Sequence, residues 1–144
     1  MANLPFDGSF WVNIDRVLRH LDGVYSRAIE ELDLDVIEAY ILWSLNEQDG
    51  QRPSDLARAV GRAVTSFTPI LDKLERKALI ERRSNSADRR SVRIHLTPTG
   101  EKLSRQVAAL FQATDTVIKQ YIGADELSSF LRVVLVLQHI SADT

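Results

Sequence analysis

Apolar residues recur at three- and four-residue steps through Phe10, Trp11, Ile14, Val17, Leu18, Leu21, Val24 and Tyr25, which predicts a long amphipathic first helix. Asp35 followed by Glu38 has the spacing of a capping box and opens a second helix ending near Asn46, with Asp49-Gly50 as the turn. Pro53 suits the first turn of a short third helix, Ser54 to Val60, closed by Gly61. A fourth helix reaches Lys77. Pro69 lies inside it, and a proline is harmless only in a first turn, so the expected start is Thr65 or Ser66. The period then changes. Leu79-Ile80 and the alternating Val92, Ile94 and Leu96 predict two strands, with Arg82 to Ser91 as a polar loop between them. Thr97-Pro98 pairs an N-cap with proline at the first helical position, opening a fifth helix that runs to about Tyr121. Gly123 breaks it, and a last helix spans Asp125 to Ile140. The predicted class is mainly α with one small β-hairpin.

Composition narrows the picture by exclusion. The chain has 144 residues, 44% of them hydrophobic, the size of one domain. No apolar run approaches the roughly 18 residues that span a membrane. The longest, Val133 to Leu137, reads as a buried helix stripe. Met1 to Gly8 lacks the pattern of a secretory signal, and a cytoplasmic location is the expectation. With no cysteine, disulfides, thiolate metal sites and thiol redox switches are excluded. His20, His95 and His139 lie on different predicted elements, so no metal and no cofactor is expected. HExxH and Gly-rich phosphate-loop motifs are absent, which argues against an enzyme.

Charge matters by region. From Arg52 to Arg105 there are 13 Lys and Arg against 6 Asp and Glu, whereas the whole chain has 18 against 20. Positive charge is therefore concentrated in the middle third of an otherwise acidic chain, as a nucleic-acid surface requires.

Two short helices joined by a tight turn, Ser54 to Val60 and Ser66 to Lys77, have the order of a helix-turn-helix. In that motif the second helix enters the major groove with its N-terminal residues toward the bases. Here that end carries Ala63, Thr65, Ser66 and Thr68, small or hydroxylic side chains that permit close approach, with Pro69 and Lys73 further along. Arg82, Arg83, Arg89, Arg90 and Arg93 then flank a polar loop containing a single acid, Asp88. Such a basic hairpin can straddle phosphates and insert an arginine into the minor groove. The order of the two parts is more specific than either part.

The chain resembles the MarR family of bacterial transcription regulators. The resemblance lies in Pro53-Ser54-Asp55-Leu56-Ala57, Leu71-Asp72-Lys73-Leu74-Glu75, Leu79-Ile80-Glu81-Arg82, and above all Asp88-Arg89-Arg90-Ser91 running into Leu96-Thr97-Pro98-Thr99-Gly100. It implies one domain over 1–144, with a winged helix-turn-helix at 34–100 and dimerisation helices at 9–31 and 101–141. It implies a homodimer that binds a pseudo-palindromic double-stranded DNA operator, commonly to repress. Ala63, Thr65, Ser66, Thr68, Pro69 and Lys73 would be recognition-helix contacts, and Arg83, Asp88, Arg89 and Arg90 wing contacts. Of these, Arg89 would stand at the wing tip and Arg90 would pair with Asp88; the sequence leaves open which arginine takes which job. Relatives also hold small aromatic acids or phenols near the dimer helices; the candidates here are Arg16, His20, Tyr25, Tyr40 and Trp43.

Two departures stand out. Ala78 occupies a place where the family usually has glycine after the recognition helix, and Arg52 stands where a Ser or Thr cap is typical, leaving Ser54 as the nearest capping hydroxyl. The absence of cysteine excludes the peroxide-sensing mode of some relatives. Independently of the resemblance, the first helix and Leu127, Phe130, Leu131, Val134, Leu135, Val136 and Leu137 are more apolar than a small reading head can cover, which calls for a second copy. The competing function is a winged-helix protein-interaction module, for which a basic wing would be superfluous.

Overall fold

A computed structural model describes residues 9–85 and 88–139, apart from the side chains of Val24, Asn85 and residues 88–91. Among the described residues, six helices and one hairpin follow in the order α1 (Phe10–Glu30), α2 (Val36–Glu47), α3 (Pro53–Ala59), α4 (Val64–Arg76), β1 (Ile80–Asn85), β2 (Asp88–Leu96), α5 (Pro98–Tyr121) and α6 (Ala124–Gln138). No helix among the described residues is long and apolar enough to cross a membrane. The chain divides into one unit up to Ala108 and another from Ala109, with the boundary inside α5.

Local rules account for most helix ends. Ser9 caps α1 by accepting from the Val12 amide at 3.4 Å. The Asp35–Glu38 capping box is complete: the Glu38 amide donates to Asp35 at 2.9 Å, and Glu38 accepts from the Asp35 amide at 2.8 Å. Pro53 takes the first turn of α3, whose N-cap Arg52 makes no side-chain cap bond; Ser54 does not supply one either. Thr97 accepts from the Gly100 amide at 3.0 Å to open α5, and its hydroxyl also donates to the Ala78 carbonyl at 2.7 Å.

The helices α3 and α4 end in the same way. After α3, Gly61 is left-handed at φ 65, with Arg62 donating to Ala57 and Gly61 to Arg58. After α4, Ala78 is left-handed at φ 55, with Leu79 donating to Leu74 and Ala78 to Glu75. Both are Schellman caps. The second carries a Cβ where the conformation favours glycine, at a cost on the order of 1 kcal/mol.

The core of the first unit gathers Ile29, Leu34, Ala39, Ile41, Leu42 and Leu45 with Leu56 and Ala57 of α3, Phe67, Leu71 and Leu74 of α4, and Ile80, Ile94 and Leu96 of the hairpin. Gly100 is fixed by this packing, because a Cβ there would lie 1.8 Å from the Leu79 carbonyl oxygen. In the second unit α6 buries no residue. The run Val133 to Leu137, expected as a buried stripe, is largely solvent-facing in this chain: Leu135 is 56% and Val136 65% exposed. The last helix ends at Gln138, and Ile140 lies outside the described residues.

The hairpin is longer than its sequence suggests. Its strands pair antiparallel from Ile80 with Leu96 to Asn85 with Asp88, with a register shift near the tip. Most of the expected loop Arg82–Ser91 is therefore strand. A two-stranded ribbon with polar side chains leaves no alternation to read, which is why the pattern hid it.

Candidate nucleic-acid interface

The recognition-helix candidate, α4, begins at Val64 with Ala63 as its N-cap, one turn or less before the expected start. The correction has a cause in the preceding cap, which ends at Arg62 and leaves only Ala63 before the helix restarts. Ser66 does not act as an N-cap acceptor; its hydroxyl donates to the Ala63 carbonyl at 3.0 Å. Pro69 consequently lies inside the helix. Its missing amide deprives only the Thr65 carbonyl of an i+4 partner, and Thr65 is exposed, so solvent can take that place.

Phe67, Leu71 and Leu74 point α4 into the core and leave Ala63, Thr65, Ser66, Thr68 and Pro69 exposed together on its outer side. Lys73 behaves differently. Its ammonium lies 3.1 Å from Asp35 and 3.2 Å from Glu38, at the start of α2. Lys77 joins the same cluster, 3.3 Å from Glu38. Glu38 is fully buried, and its second oxygen, Oε1, has no hydrogen-bond partner among the described residues. Hydrogen bonds from Lys73 to Asp35 and Glu38 raise the lysine's pKa. Burial alone would raise that of Asp35, but the Glu38 amide and Lys73 together bring it below the ordinary carboxylate value. Two of the middle third's cations thus tie α4 to α2, Lys73 while its side chain stays 44% exposed.

Arg82 is also occupied. It bonds Asp72 at 2.6 Å and reaches Glu75, so β1 neutralises the two acids on the exposed half of α4. Arg83 is bound to Glu81 at 2.8 Å, yet its side chain remains 57% exposed. Arg93 donates to the Gly50 carbonyl at 3.1 Å, and the Ile94 amide donates to the Gln51 carbonyl at 2.9 Å. Asp49 accepts from the Leu96 amide at 2.9 Å and contacts His95 at 2.7 Å. Burial would raise the Asp49 pKa, but the Leu96 amide and His95 outweigh it, and the net shift is downward. The α2–α3 turn therefore pins the base of the wing. The side chains of Asp88, Arg89 and Arg90, including the expected Asp88–Arg90 pair, lie outside the described residues.

Arg62 was not singled out by the sequence. It is exposed in the turn before α4, beside Ser66, and makes no ion pair among the described residues. Its only sequence signal was a charge following a glycine.

Two of the five candidate pocket residues line a common cavity. Tyr40 and Trp43 line a cavity of about 460 Å³ with Ser44, Glu47, Ala59 and Val60. Arg16, His20 and Tyr25 of α1 do not line it. A second cleft of about 470 Å³ lies where α1, α2 and α4 meet, lined by Glu30, Leu34, Asp35, Arg62, Ser66 and Ile70 among others.

Two short helices, the second with an apolar inner and hydroxylic outer face, followed by a two-stranded hairpin pinned at its base, define a winged helix-turn-helix. Residues 38–92 match the model of the MarR family. The chain is similar to a solved MarR family transcription regulator at 27% identity, covering 86% of this chain and 82% of that one, with a TM-score of 0.75. The fold is shared with the S. aureus MepR–DNA complex at 22% identity, 92% and 97% coverage and a TM-score of 0.82. It is shared equally with Bordetella bronchiseptica BpsR, described as regulated in its DNA binding by 6-hydroxynicotinic acid, at 16% identity, 97% and 100% coverage and a TM-score of 0.82.

Proposed function

We propose that the protein is a sequence-specific double-stranded DNA-binding transcription regulator, working as a homodimeric repressor of a pseudo-palindromic operator. The observation that carries this reading is the outer face of α4. Thr65, Ser66, Thr68 and Pro69 stand exposed together at its N-terminal half, while the cations of its inner side are spent on α2. In a helix-turn-helix that end meets base edges. Arg62, Arg83, Arg89 and Arg90 would supply phosphate or minor-groove contacts around it. Lys73 is not among the DNA-facing groups, because its charge is already paired.

The homodimer rests on unpartnered apolar surface: Phe10, Trp11, Val17 and Leu18 on α1, and Phe130, Leu131, Leu135 and Val136 on α6, are all at least half exposed. Soluble monomers avoid continuous patches of that kind. A dimer about a two-fold axis would set half-sites about 34 Å apart. A small ligand seated near Tyr40 and Trp43 would relieve repression, a reading supported by the ligand regulation described for BpsR. No hydrolytic or transfer chemistry is assigned to the chain.

The test begins by selecting operator fragments from genomic DNA and measuring affinity by fluorescence anisotropy. Arg89→Ala with Arg90→Ala should weaken binding and lower the salt slope by about 2, roughly one unit for each phosphate no longer neutralised. Thr68→Val should reduce discrimination between operator and unrelated duplex by about 1–3 kcal/mol. Binding indifferent to salt and to the wing arginines would favour a protein-interaction module instead.

A further inference from the structure

The cavity between α2 and α3 has a lining whose chemistry points in one direction. Tyr40, Trp43, Ser44 and Glu47 occupy positions i, i+3, i+4 and i+7 of α2, a single helical stripe. Ala59 and Val60, at the end of α3, close the opposite side. The volume, about 460 Å³, is that of a small-molecule site. Two aromatic rings, a hydroxyl and a carboxylate line it, and among the described residues no lysine or arginine does. A second carboxylate acts nearby: burial first and then Asp22 raise the Tyr40 pKa.

An aromatic acid entering this cavity would bring its carboxylate up to Glu47 with no counter-charge. A cation meets the reverse situation. Aromatic ring faces attract it, and Glu47 neutralises it. We infer that this cavity binds an organic amine or quaternary ammonium cation with an aromatic or apolar body, in place of the aromatic acid that family resemblance suggests. The inference names the ligand class for the relief of repression proposed above, and only its effect on DNA rests on that reading. Coupling would be short, since Val60 is the C-cap of α3 and Gly61-Arg62 leads directly into α4.

The test uses the full chain with Trp11→Phe, so that Trp43 is the sole remaining tryptophan of two. Benzyltrimethylammonium is the cationic probe and benzoate its anionic counterpart. The cation should change Trp43 emission saturably and benzoate should not, and Glu47→Gln should weaken the cation about fivefold. Equilibrium dialysis on the unaltered chain makes the same comparison if the Trp11 variant fails to fold. Saturable benzoate binding at equal or lower concentration, no saturable cation binding, or an affinity unchanged in Glu47→Gln would overturn the inference. Operator release is read separately. Cation binding without release would overturn ligand relief while upholding the cation site, and release by benzoate alone would do the opposite.

Discussion

The helices α4 and α6 are close in length and both amphipathic, but their apolar residues have different fates. Within α4, Phe67, Leu71 and Leu74 are at most 2% exposed. Within α6, no residue is buried, and Phe130, Leu131, Leu135 and Val136 are half exposed or more. The first helix is completed by its own chain: α2 and α3 cover it and Lys73 and Lys77 tie it to Glu38. The second buries none of its residues in the described chain. That exposed apolar surface on α6 is what the proposed homodimer would cover.

The largest expected effect tests the completeness of the head. Gly100→Ala would drive a Cβ into the Leu79 carbonyl, and thermal unfolding should show a loss of at least about 3 kcal/mol. A variant melting like the parent would mean that the Leu79–Gly100 approach is looser than described.

The second tests α6. Leu131→Asp with Leu135→Asp places two charges on its exposed apolar side. Light scattering should then find monomer at micromolar concentration, with far-UV helicity largely kept. If assembly is untouched, α6 is not the dimer surface.

Acid provides a third. Asp35 and Asp49 both have pKa values below the ordinary carboxylate range. A depressed folded pKa contributes stability that is complete above the unfolded value, about 3.9, and is lost as pH falls through the folded one. The head should hold its stability down to about pH 4 and lose it below, with a shallower acid limb in Asp49→Asn. Both carboxylates are half exposed, so the change should be modest.

The smallest effect is a gain. Ala78→Gly relieves a left-handed alanine and should stabilise the head by about 0.5–1 kcal/mol, measured by denaturant midpoint. Unchanged or reduced stability would show that the strain is already offset by the Thr97 hydroxyl on the Ala78 carbonyl.

The features legible in advance were short-range. The Asp35–Glu38 box and the Thr97-Pro98 start each depend on residues a few places apart, and both are present. The helix α4 starts at Val64, before the position that Pro69 suggests, because the cap ending at Arg62 leaves only Ala63 before it. The wing strands were shortened, because a polar ribbon carries no hydrophobic alternation.

The candidate site shows the same division. Residue type and order alone determined a helix-turn-helix with hydroxyls at the front of its second helix and a basic hairpin behind it. Only tertiary structure decided which charges are free. Lys73 meets Asp35 across 38 residues, and Arg82 meets Asp72 only once the hairpin folds back beside α4. It also placed Glu38 in the interior and Tyr40 and Trp43 on a cavity from which Arg16, His20 and Tyr25 are absent. The reason is physical: caps and turns are decided by neighbours along the chain, whereas the partner of a long flexible cation is decided by whichever carboxylate packing brings within reach.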